Sequence, residues 1–287
     1  MGLLSLRRCR RTGTGGEHMT KGIELRVALV TGATGGLGSA IARQLAAAGC
    51  RVVVHCGHDL TRTESVIASC IAAGSDAVAV AGDLVDDDAC RRIATEAAAA
   101  WGRIDVLVNN AAITRFIPHA DLEALDSATF RRIMDVNLMG PFQMTRAAAP
   151  WLRAHAAGSV VNISSTAALA GTGSSIAYSA SKAALNNLTL TMARALAPAV
   201  RVNAVVPGYI ANDWLLKGVG AERFAALTAA QTAATPLQHA ATPDDVAEVA
   251  VWVALSARHL TGELVRVDGG HHLGTGSVVV PNERRAD

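Results

Sequence analysis

Short, continuous apolar runs alternate along the chain with longer segments in which alanine and leucine recur at helical spacing. A strand that is covered on both faces reads as a continuous apolar run, and helices must lie between such strands when they are parallel. We therefore predict seven strands, at residues 27–31, 51–55, 77–81, 104–108, 159–163, 200–206 and 264–267. The pattern predicts an α/β fold, a doubly wound parallel sheet with helices on both faces.

The intervening segments carry signals for the ends of helices. Helices are predicted at residues 37–48, 61–73, 86–101, 127–155, 178–197 and 243–255. The second begins with an expected capping box of Thr61 and Glu64, and the fourth is expected to bend near Gly140-Pro141, where proline removes a helix donor. Residues 207–241 are expected to be irregular and to adapt to a ligand, as long excursions from a compact sheet often do.

A glycine cluster follows the first strand, in the sequence Thr31-Gly32-Ala33-Thr34-Gly35-Gly36-Leu37-Gly38. Glycines at such a turn let the backbone approach a pyrophosphate at the N-terminus of the next helix. The cluster therefore predicts a dinucleotide site. For Thr31, Thr34 and Asn110, hydrogen bonds that only stabilise the loop are an equal alternative.

The end of the second strand is where such folds distinguish a ribose hydroxyl from a ribose phosphate. Here stand His55-Cys56-Gly57-His58, with no acid at Cys56, whereas a carboxylate would accept from the hydroxyl and repel the phosphate. His58 and Arg62 could contact the phosphate, which favours NADP(H) over NAD(H), and NAD(H) stays possible because Asp59 is close.

Tyr178 and Lys182 lie four residues apart at the start of a predicted helix, so they share a face. A free phenol has a pKa of about 10, and a neighbouring ammonium favours the phenolate. We expect Lys182 to lower the pKa of Tyr178 and make it a proton carrier.

With these motifs in order, and with Asn109-Asn110-Ala111-Ala112, Asn137, Ser165 and Pro207-Gly208, the chain resembles a short-chain dehydrogenase/reductase. The resemblance covers residues 26–270 and implies a Rossmann-type fold. One departure is Ala112, where the family often has glycine. The resemblance implies that Tyr178 exchanges a proton with a carbonyl or alcohol oxygen, that Ser165 holds that oxygen, that Lys182 binds the nicotinamide ribose, and that Asn137 keeps a water linking Lys182 to solvent.

Ser164 is an alternative to Ser165, although its hydroxyl could instead face the backbone. The motifs and the resemblance together assign cofactor binding to Gly32, Thr34, Gly35, Gly36, Leu37, Gly38, His58, Asp83, Leu84, Asn109, Ala111, Tyr178, Lys182, Pro207, Gly208 and Ile210. Asp83 and Leu84 would flank the adenine, and Pro207, Gly208 and Ile210 would border the nicotinamide. Tyr209, the second tyrosine, has no lysine four residues on and is a poor candidate for the acid.

Composition sets the limits of these expectations. The chain has 287 residues, 51% of them apolar, which suits one large domain from residue 26 to 287 behind a flexible extension of residues 1–25. Residues 1–26 hold six Lys/Arg against two Asp/Glu and the remainder holds 20 against 22, so a nucleic-acid partner gains little support. The leader lacks the long apolar segment of a secretory signal, and we expect no membrane segment.

The cysteines and histidines argue against a disulfide framework or a metal site. Five cysteines, an odd number without a Cys-x-x-Cys pair, favour a reducing compartment, and we expect a cytoplasmic protein. His271-His272 has no further ligand at usable spacing, so we expect a solvated tail there and no metal.

The expected function is an NADP-preferring oxidoreductase that interconverts a ketone and a secondary alcohol. Among relatives, the pattern resembles 3-oxoacyl-acyl-carrier-protein reductases, so the carbonyl could belong to a small molecule or an acyl thioester. An NAD-dependent sugar or polyol dehydrogenase and a non-catalytic NADP-binding protein are the alternatives. The resemblance also implies a homotetramer.

Overall fold

A single parallel sheet forms the centre of the computed structural model, which describes residues 25–155 and 157–274. Its seven strands lie in the order β3-β2-β1-β4-β5-β6-β7. They are β1 Val27–Val30, β2 Arg51–Cys56, β3 Ala77–Ala81, β4 Val106–Asn109, β5 Gly158–Ile163, β6 Val200–Pro207 and β7 Leu264–Val267. The predicted fold class is confirmed, and most strand bounds lie within one residue of the prediction.

The strand order reverses beside β1. Ala28 pairs with Val52 of β2 on one side and with Val106 of β4 on the other. In open α/β sheets, the crevice outside the carboxyl ends of the strands at such a reversal is where ligands bind. This arrangement brings the glycine turn after β1 next to the polar loop after β4.

Helices cover both faces of the sheet. The α-helices are α1 Gly36–Ala47, α2 Glu64–Ala72, α3 Asp87–Trp101, α4 Ser127–Met134, α5 Gly140–Ala154, α6 Ala167–Ala170, α7 Ile176–Leu196, α8 Asp213–Val219, α9 Ala221–Ala234 and α10 Pro243–Leu255. Short 3-10 segments occupy Leu60–Thr63 and His271–Leu273, and a π-helix occupies Asp135–Met139.

Two apolar layers sandwich the sheet because successive strand residues point to opposite faces. Val52 and Val54 pack with α1, α2 and α10, whereas Val53 packs on the other face with α3, α5 and α7. Burial of these two layers is the main force that holds the helices to the sheet. The strands therefore present a rigid edge on which the functional loops are mounted.

Polar side chains fix several helix ends. Asp86 caps α3 by accepting from the Asp88 amide at 2.9 Å, and Thr242 and Asp245 form a capping box at the start of α10. Arg201 binds the opposite end of α10, since its guanidinium donates to the carbonyls of Val253 and Ala254 at 3.1 and 2.9 Å. A cation at a helix C-terminus also complements the helix dipole.

Two local predictions, a capping box and a long irregular segment, are wrong. The expected capping box of Thr61 and Glu64 is absent, because Asp59 caps a 3-10 turn there by accepting from the Thr61 amide at 3.0 Å. Near Gly140-Pro141, where a bend is predicted, the helical stretch contains the π-helix Asp135–Met139, and Pro141 lies in the first turn of α5. The segment of residues 207–241 is not irregular throughout, since it contains α8 and α9.

Candidate active site

An open cleft of about 1560 Å³ runs along the carboxyl edge of the sheet. The glycine turn before α1 and the end of β2 form one end of it, and α8 and α9 lie along its wall. Tyr178, Lys182 and Ser165 line this cleft together with Gly32 and Gly38. The two motifs that the sequence singled out therefore meet in one cavity.

Helix α7 presents the predicted acid–base pair on one face. Its N-cap is Ser175, whose hydroxyl accepts from the Tyr178 amide at 3.3 Å, so Tyr178 sits in the first turn. The ammonium of Lys182 lies 5.7 Å from the centre of the Tyr178 ring. The expected pairing of these two side chains is present.

Lys182 is almost fully buried, with 3% of its surface exposed. Its ammonium donates to the Ile163 carbonyl at the end of β5, at 2.7 Å, and burial lowers its pKa to about 8. The Ser164 hydroxyl donates to the Lys182 carbonyl at 3.3 Å. Ser164 thus serves the backbone of α7, which is the alternative that the sequence left open for it.

The pKa of Tyr178 moves in the opposite direction from the one expected. Burial disfavours the phenolate and raises the pKa, while a hydrogen bond with the Ser165 hydroxyl lowers it in part. The expected lowering of the phenol pKa is therefore wrong. Desolvation of the phenol is the largest cause of the shift, and the phenol keeps its proton at neutral pH.

Asn137 lies in the π-helix and is fully buried. Its side chain accepts from the Ile113 amide at 2.8 Å and donates to the Ile113 carbonyl at 2.9 Å and to the Ser181 hydroxyl at 3.1 Å. A π-turn inside an α-helix is often associated with a functional site. Because the amide is fully engaged, the Asn137 side chain joins the cleft wall to α7 and does not reach Lys182.

The glycine turn suits an anionic ligand. Helix α1 has Gly35 as its N-cap, no side chain that caps it and no acid in its first turn, so its first N–H groups face the cleft without a competing carboxylate. A side chain at Gly38 would come within 2.6 Å of the Asn110 amide nitrogen, so the turn tolerates only glycine there. Such a bare, close-packed helix N-terminus fits the pyrophosphate of a dinucleotide.

The far end of the cleft carries the residues expected around the adenosine. Asp83 accepts from the Val85 amide and from Arg132, both at 3.1 Å, and Leu84 and His58 line the cleft beside it. Arg62 also lines the cleft, whereas Asp59 does not and instead binds the Thr61 amide and hydroxyl. The Asp59 carboxylate, which could have repelled a ribose phosphate, therefore caps a 3-10 helix instead.

Comparison with known proteins decides the family. Residues 26–218 match the family model described as short chain dehydrogenase. The chain belongs to the short-chain dehydrogenase/reductase family. The resemblance inferred from the motifs is confirmed.

Relatives within the family cover nearly the whole described chain. Ketoacyl reductase 2 assigned to the granaticin polyketide synthase of Streptomyces violaceoruber is 42% identical over 250 residues, 87% of this chain and 97% of that protein. Cis-4-hydroxycyclohexanecarboxylate dehydrogenase of Sinomonas cyclohexanicum is 38% identical over 248 residues, 86% and 96% of the two chains. The solved structure of a short-chain dehydrogenase/reductase from Burkholderia xenovorans has a TM-score of 0.81 and 39% identity, covering 88% of this chain and 99% of that one.

Most of the residues assigned to the dehydrogenase site line the cleft. Besides the glycines, Tyr178 and Lys182, they include Ala111, Pro207, Gly208 and Ile210. Thr34 and Asn137 do not line it. The side chains of Thr31 and Asn110 each bind the main chain of the other residue. The Asn110 main-chain amide donates to the Thr31 hydroxyl at 3.0 Å, so the pair stabilises the loop.

Asn109 was assigned to the cofactor, but its side chain points into the protein. The amide donates to Thr145 at 3.1 Å and to Asn162 at 2.9 Å, which in turn donates to Thr189 at 2.9 Å. This buried polar chain joins β4, α5, β5 and α7. Asn109 therefore supports the sheet beneath the site and does not line the cleft.

The wall opposite the glycine turn was largely missed by the sequence analysis. Apolar side chains from separate loops and helices build it, namely Ile113, Phe116, Ile117, Leu169, Trp214, Leu215, Val219 and Leu227. The rings of Phe116 and Trp214 lie 5.6 Å apart, and Gly218 leaves room for the Phe116 ring. Only the spacing of Arg223, Leu227 and Gln231, four residues apart on α9, was a signal that could have been read.

Two remaining expectations concern the tyrosine and histidine residues near the cleft. Tyr209 lies 2.6 Å from the Thr228 hydroxyl, which already donates to the Phe224 carbonyl, so the Tyr209 proton is committed to Thr228. His271 and His272 are exposed, as a solvated segment would be, and they also line the cleft, where Asp268 binds His272 at 2.9 Å. Across the described ranges, no group of three or more His, Cys, Asp or Glu is arranged to hold a metal ion.

In the part of the chain that the structure describes, no helix combines the length and the apolar character needed to cross a bilayer. Cys50, Cys56, Cys70 and Cys90 are buried free thiols. Residues 1–24, which hold nearly all of the predicted extension and Cys9, lie outside the described residues.

Proposed function

We propose that the protein is an NADP(H)-dependent oxidoreductase that interconverts a ketone and a secondary alcohol, with Tyr178 as the proton donor. The observation that carries the proposal is that Tyr178, Ser165 and Lys182 line the same cleft as the uncapped N-terminus of α1. An oxygen that develops negative charge needs a hydrogen bond and a proton source within about 3 Å. This cleft offers both, beside the glycine turn that would receive the pyrophosphate of a dinucleotide.

When it is bound, the nicotinamide supplies the hydride to the carbonyl carbon or accepts it from the alcohol. Ser165 is suited to hold the substrate oxygen, because the Ala167 amide donates to its oxygen at 3.2 Å and its hydroxyl lies within hydrogen-bonding reach of the Tyr178 phenol. Tyr178 then gives its proton to that oxygen. The raised pKa of Tyr178 keeps the phenol protonated, which supports the reducing direction.

Lys182 has two roles in this proposal. Its buried ammonium would hold the nicotinamide ribose, and its charge would stabilise the phenolate after the proton has left. The supply of a new proton would pass by Lys182 and a water at Asn137. Since the Asn137 side chain is occupied by Ile113 and Ser181, that water would bind the Asn137 main-chain carbonyl.

Preference for NADP(H) rests on the end of β2. Cys56 offers no carboxylate to a ribose hydroxyl, Asp59 is occupied at its 3-10 turn, and His58 and Arg62 line the cleft. A guanidinium in this position favours a ribose phosphate. Initial rates with NADPH and NADH on one substrate test the preference, and equal kcat/KM values would contradict it.

The apolar wall supports a carbonyl substrate with an apolar body. Trp214, Leu215, Val219 and Leu227 offer apolar surface for an acyl chain or a ring, and Arg223 and Gln231 are the polar residues of α9 beside them. The ketoacyl reductase and the cyclohexanecarboxylate dehydrogenase among the relatives have names that fit such bodies. We therefore favour a 3-oxoacyl thioester or an alicyclic ketone over a polyol.

Assembly as a homotetramer and a cytoplasmic location belong to the same proposal. The assembly rests on family resemblance alone, and the location on the free thiols. Light scattering of the full chain tests the assembly, and a monomer would contradict it.

A screen of carbonyl compounds, followed at the NADPH absorbance band, tests the function. The panel pairs 3-oxoacyl thioesters and alicyclic ketones with ketoses of similar size. We expect oxidation of NADPH with the apolar ketones and little with the ketoses. Tight NADPH binding without turnover of any ketone would instead favour a non-catalytic nucleotide-binding protein.

A further inference from the structure

One buried histidine connects two parts of the dinucleotide cleft and was assigned no role by its motif. His55, in β2, is 2% exposed. Its Nδ1 lies 3.2 Å from the Gly32 amide nitrogen, and its Nε2 lies 3.0 Å from the Gly82 carbonyl oxygen. Gly32 begins the glycine turn after β1, and Gly82 follows β3, so the imidazole of β2 joins the segments that follow the two strands on either side of it.

The two hydrogen bonds fix the chemical state of the ring. An amide N–H can only donate, so Nδ1 must be the bare, accepting nitrogen. A carbonyl can only accept, so Nε2 must carry the hydrogen. Only the neutral Nε2–H tautomer satisfies both partners, since an imidazolium would lose the Gly32 bond and the other tautomer would lose both.

The surroundings hold the ring in that state. Burial lowers the pKa of His55 to about 4, and the Asp83 carboxylate and the Gly82 carbonyl offset only part of this. The ring is therefore neutral at pH 7. Its two hydrogen bonds therefore stay the same near neutral pH.

Main-chain hydrogen bonds tie the Gly32 and Gly82 segments to β2 but do not join them to each other, which the His55 side chain does. The His55 carbonyl accepts from the Ala33 amide at 2.9 Å, and the Cys56 carbonyl accepts from the Gly82 amide at 3.1 Å. These bonds attach each segment to β2 separately. The imidazole alone adds a direct connection between Gly32 and Gly82 through one rigid ring.

Gly32 has little freedom on its other side. Its φ is +60°, and a Cβ there would lie 2.8 Å from the Ala111 Cα. The turn is thus held between Ala111 and the His55 ring. Gly32, His55 and Gly82 all line the cleft, at the end where Asp83 and His58 also lie.

We propose that His55 is a positioning residue of the cofactor site, whose neutral ring holds the Gly32 and Gly82 backbones at the spacing that receives the adenosine and pyrophosphate half of the dinucleotide. This inference rests on the proposed dinucleotide-dependent function. It assigns to His55 no contact with the reacting atoms. Loss of the ring should weaken binding of any ligand that contains ADP-ribose, with or without the nicotinamide.

Titration calorimetry of the full-length protein with ADP-ribose 2′-phosphate and with NADPH tests the inference. In His55→Leu the Gly32 amide and Gly82 carbonyl lose their buried partner, and we expect both Kd values to rise roughly 10- to 100-fold. His55→Gln keeps one acceptor and one donor and should stay within about threefold of the wild type. Val53→Ala is the matched control, because Val53 lies on the same strand and face and packs only in the core.

Val53→Ala should lower the thermal stability and leave both Kd values unchanged. An equal loss of binding in Val53→Ala and His55→Leu, or binding by His55→Leu within twofold of the wild type, would overturn the inference. Amide hydrogen exchange of Gly32 in the ligand-free wild type is a second measurement that needs no variant. Slow exchange supports the bond to His55, and exchange at the rate of an open loop would overturn it.

The calorimetry also separates this inference from the proposed function. If His55→Leu loses ADP-ribose 2′-phosphate binding while the wild type reduces no ketone, the positioning role stands and the catalytic proposal fails. If the wild type reduces ketones while His55→Leu binds normally, the reverse holds. A wild type that binds neither ligand would contradict both.

Discussion

Asn137 and Ser181 connect the π-helix to α7 through a single hydrogen bond of 3.1 Å. Ser181 is fully buried, and its hydroxyl donates in turn to the Tyr178 carbonyl at 2.7 Å. The chain of contacts therefore runs from the Ile113 backbone in the cleft wall, through Asn137 and Ser181, to the turn that carries Tyr178. This connection aligns the proposed acid with the wall that faces the substrate.

Ser181→Ala should lower kcat more than it changes the KM for the dinucleotide. The variant loses the bonds to Asn137 and to the Tyr178 carbonyl, and a loss of about 1 kcal/mol in the positioning of Tyr178 corresponds to a roughly fivefold loss of rate. Steady-state kinetics measure the split. Ser179→Ala is the matched control, since Ser179 lies in the same turn and bonds only to the Ile176 carbonyl at 3.0 Å. Identical kinetics for the two variants would contradict the assigned role.

Arg62→Gln should raise the KM for NADPH about tenfold and leave that for NADH nearly unchanged, because a guanidinium contributes to binding of the ribose phosphate only. Arg194→Gln serves as the control, since Arg194 is exposed at the end of α7 and does not line the cleft. Cofactor titrations at saturating ketone measure both constants. A parallel rise for the two nucleotides would mean that Arg62 does not read the phosphate.

His55 should make the folded state less stable in mild acid. Its pKa falls from 6.5 to about 4 on folding, so between these values the unfolded chain binds a proton that the folded chain does not. The free energy of unfolding should therefore decrease as the pH falls from 6.5 to 4, by up to about 3 kcal/mol from this residue. Urea unfolding of the wild type and His55→Gln across that range checks this, and equal slopes for both would refute it.

Asp105 should be important for stability at the edge of the sheet opposite the cleft. Its carboxylate accepts from the Val27 amide at 2.8 Å and from the Arg103 guanidinium at 2.7 and 2.8 Å, and the residue is 5% exposed. Asp105→Ala leaves a largely buried guanidinium without this carboxylate and should cost about 3 kcal/mol. Glu96→Gln, which breaks the exposed pair with Arg92, should cost less than about 1 kcal/mol. Chemical unfolding compares the two, and similar losses would contradict the argument.

Elements whose burial shows in the pattern of hydrophobic and polar residues could be predicted from the sequence. The strands are continuous apolar runs because both faces are covered, and the glycine turn and the spacing of Tyr178 and Lys182 are local motifs. Helices α8 and α9 escaped prediction because neither contains a buried residue, so no apolar stripe marks them. Hydrophobic periodicity reports burial in a core and says little about helices that only border a cleft.

Residues whose roles depend on distant partners also escaped prediction. His55 looks like one polar residue in an apolar strand, and nothing nearby in sequence reveals Gly82 as its partner. Asn109 is the last residue of β4, and its neighbours on α5 and β5 turn its side chain inward. The direction of the Tyr178 pKa shift depended on burial, which the spacing from Lys182 could not reveal.

The most direct test of the proton-donor assignment is turnover by Tyr178→Phe, with Tyr209→Phe as the matched control. Tyr209 also lines the cleft, but its hydroxyl is bound to Thr228. Ketone-dependent NADPH oxidation by Tyr178→Phe should fall about 1000-fold, within the range for loss of a general acid, while NADPH binding persists and Tyr209→Phe stays active. Undiminished turnover by Tyr178→Phe would contradict the account.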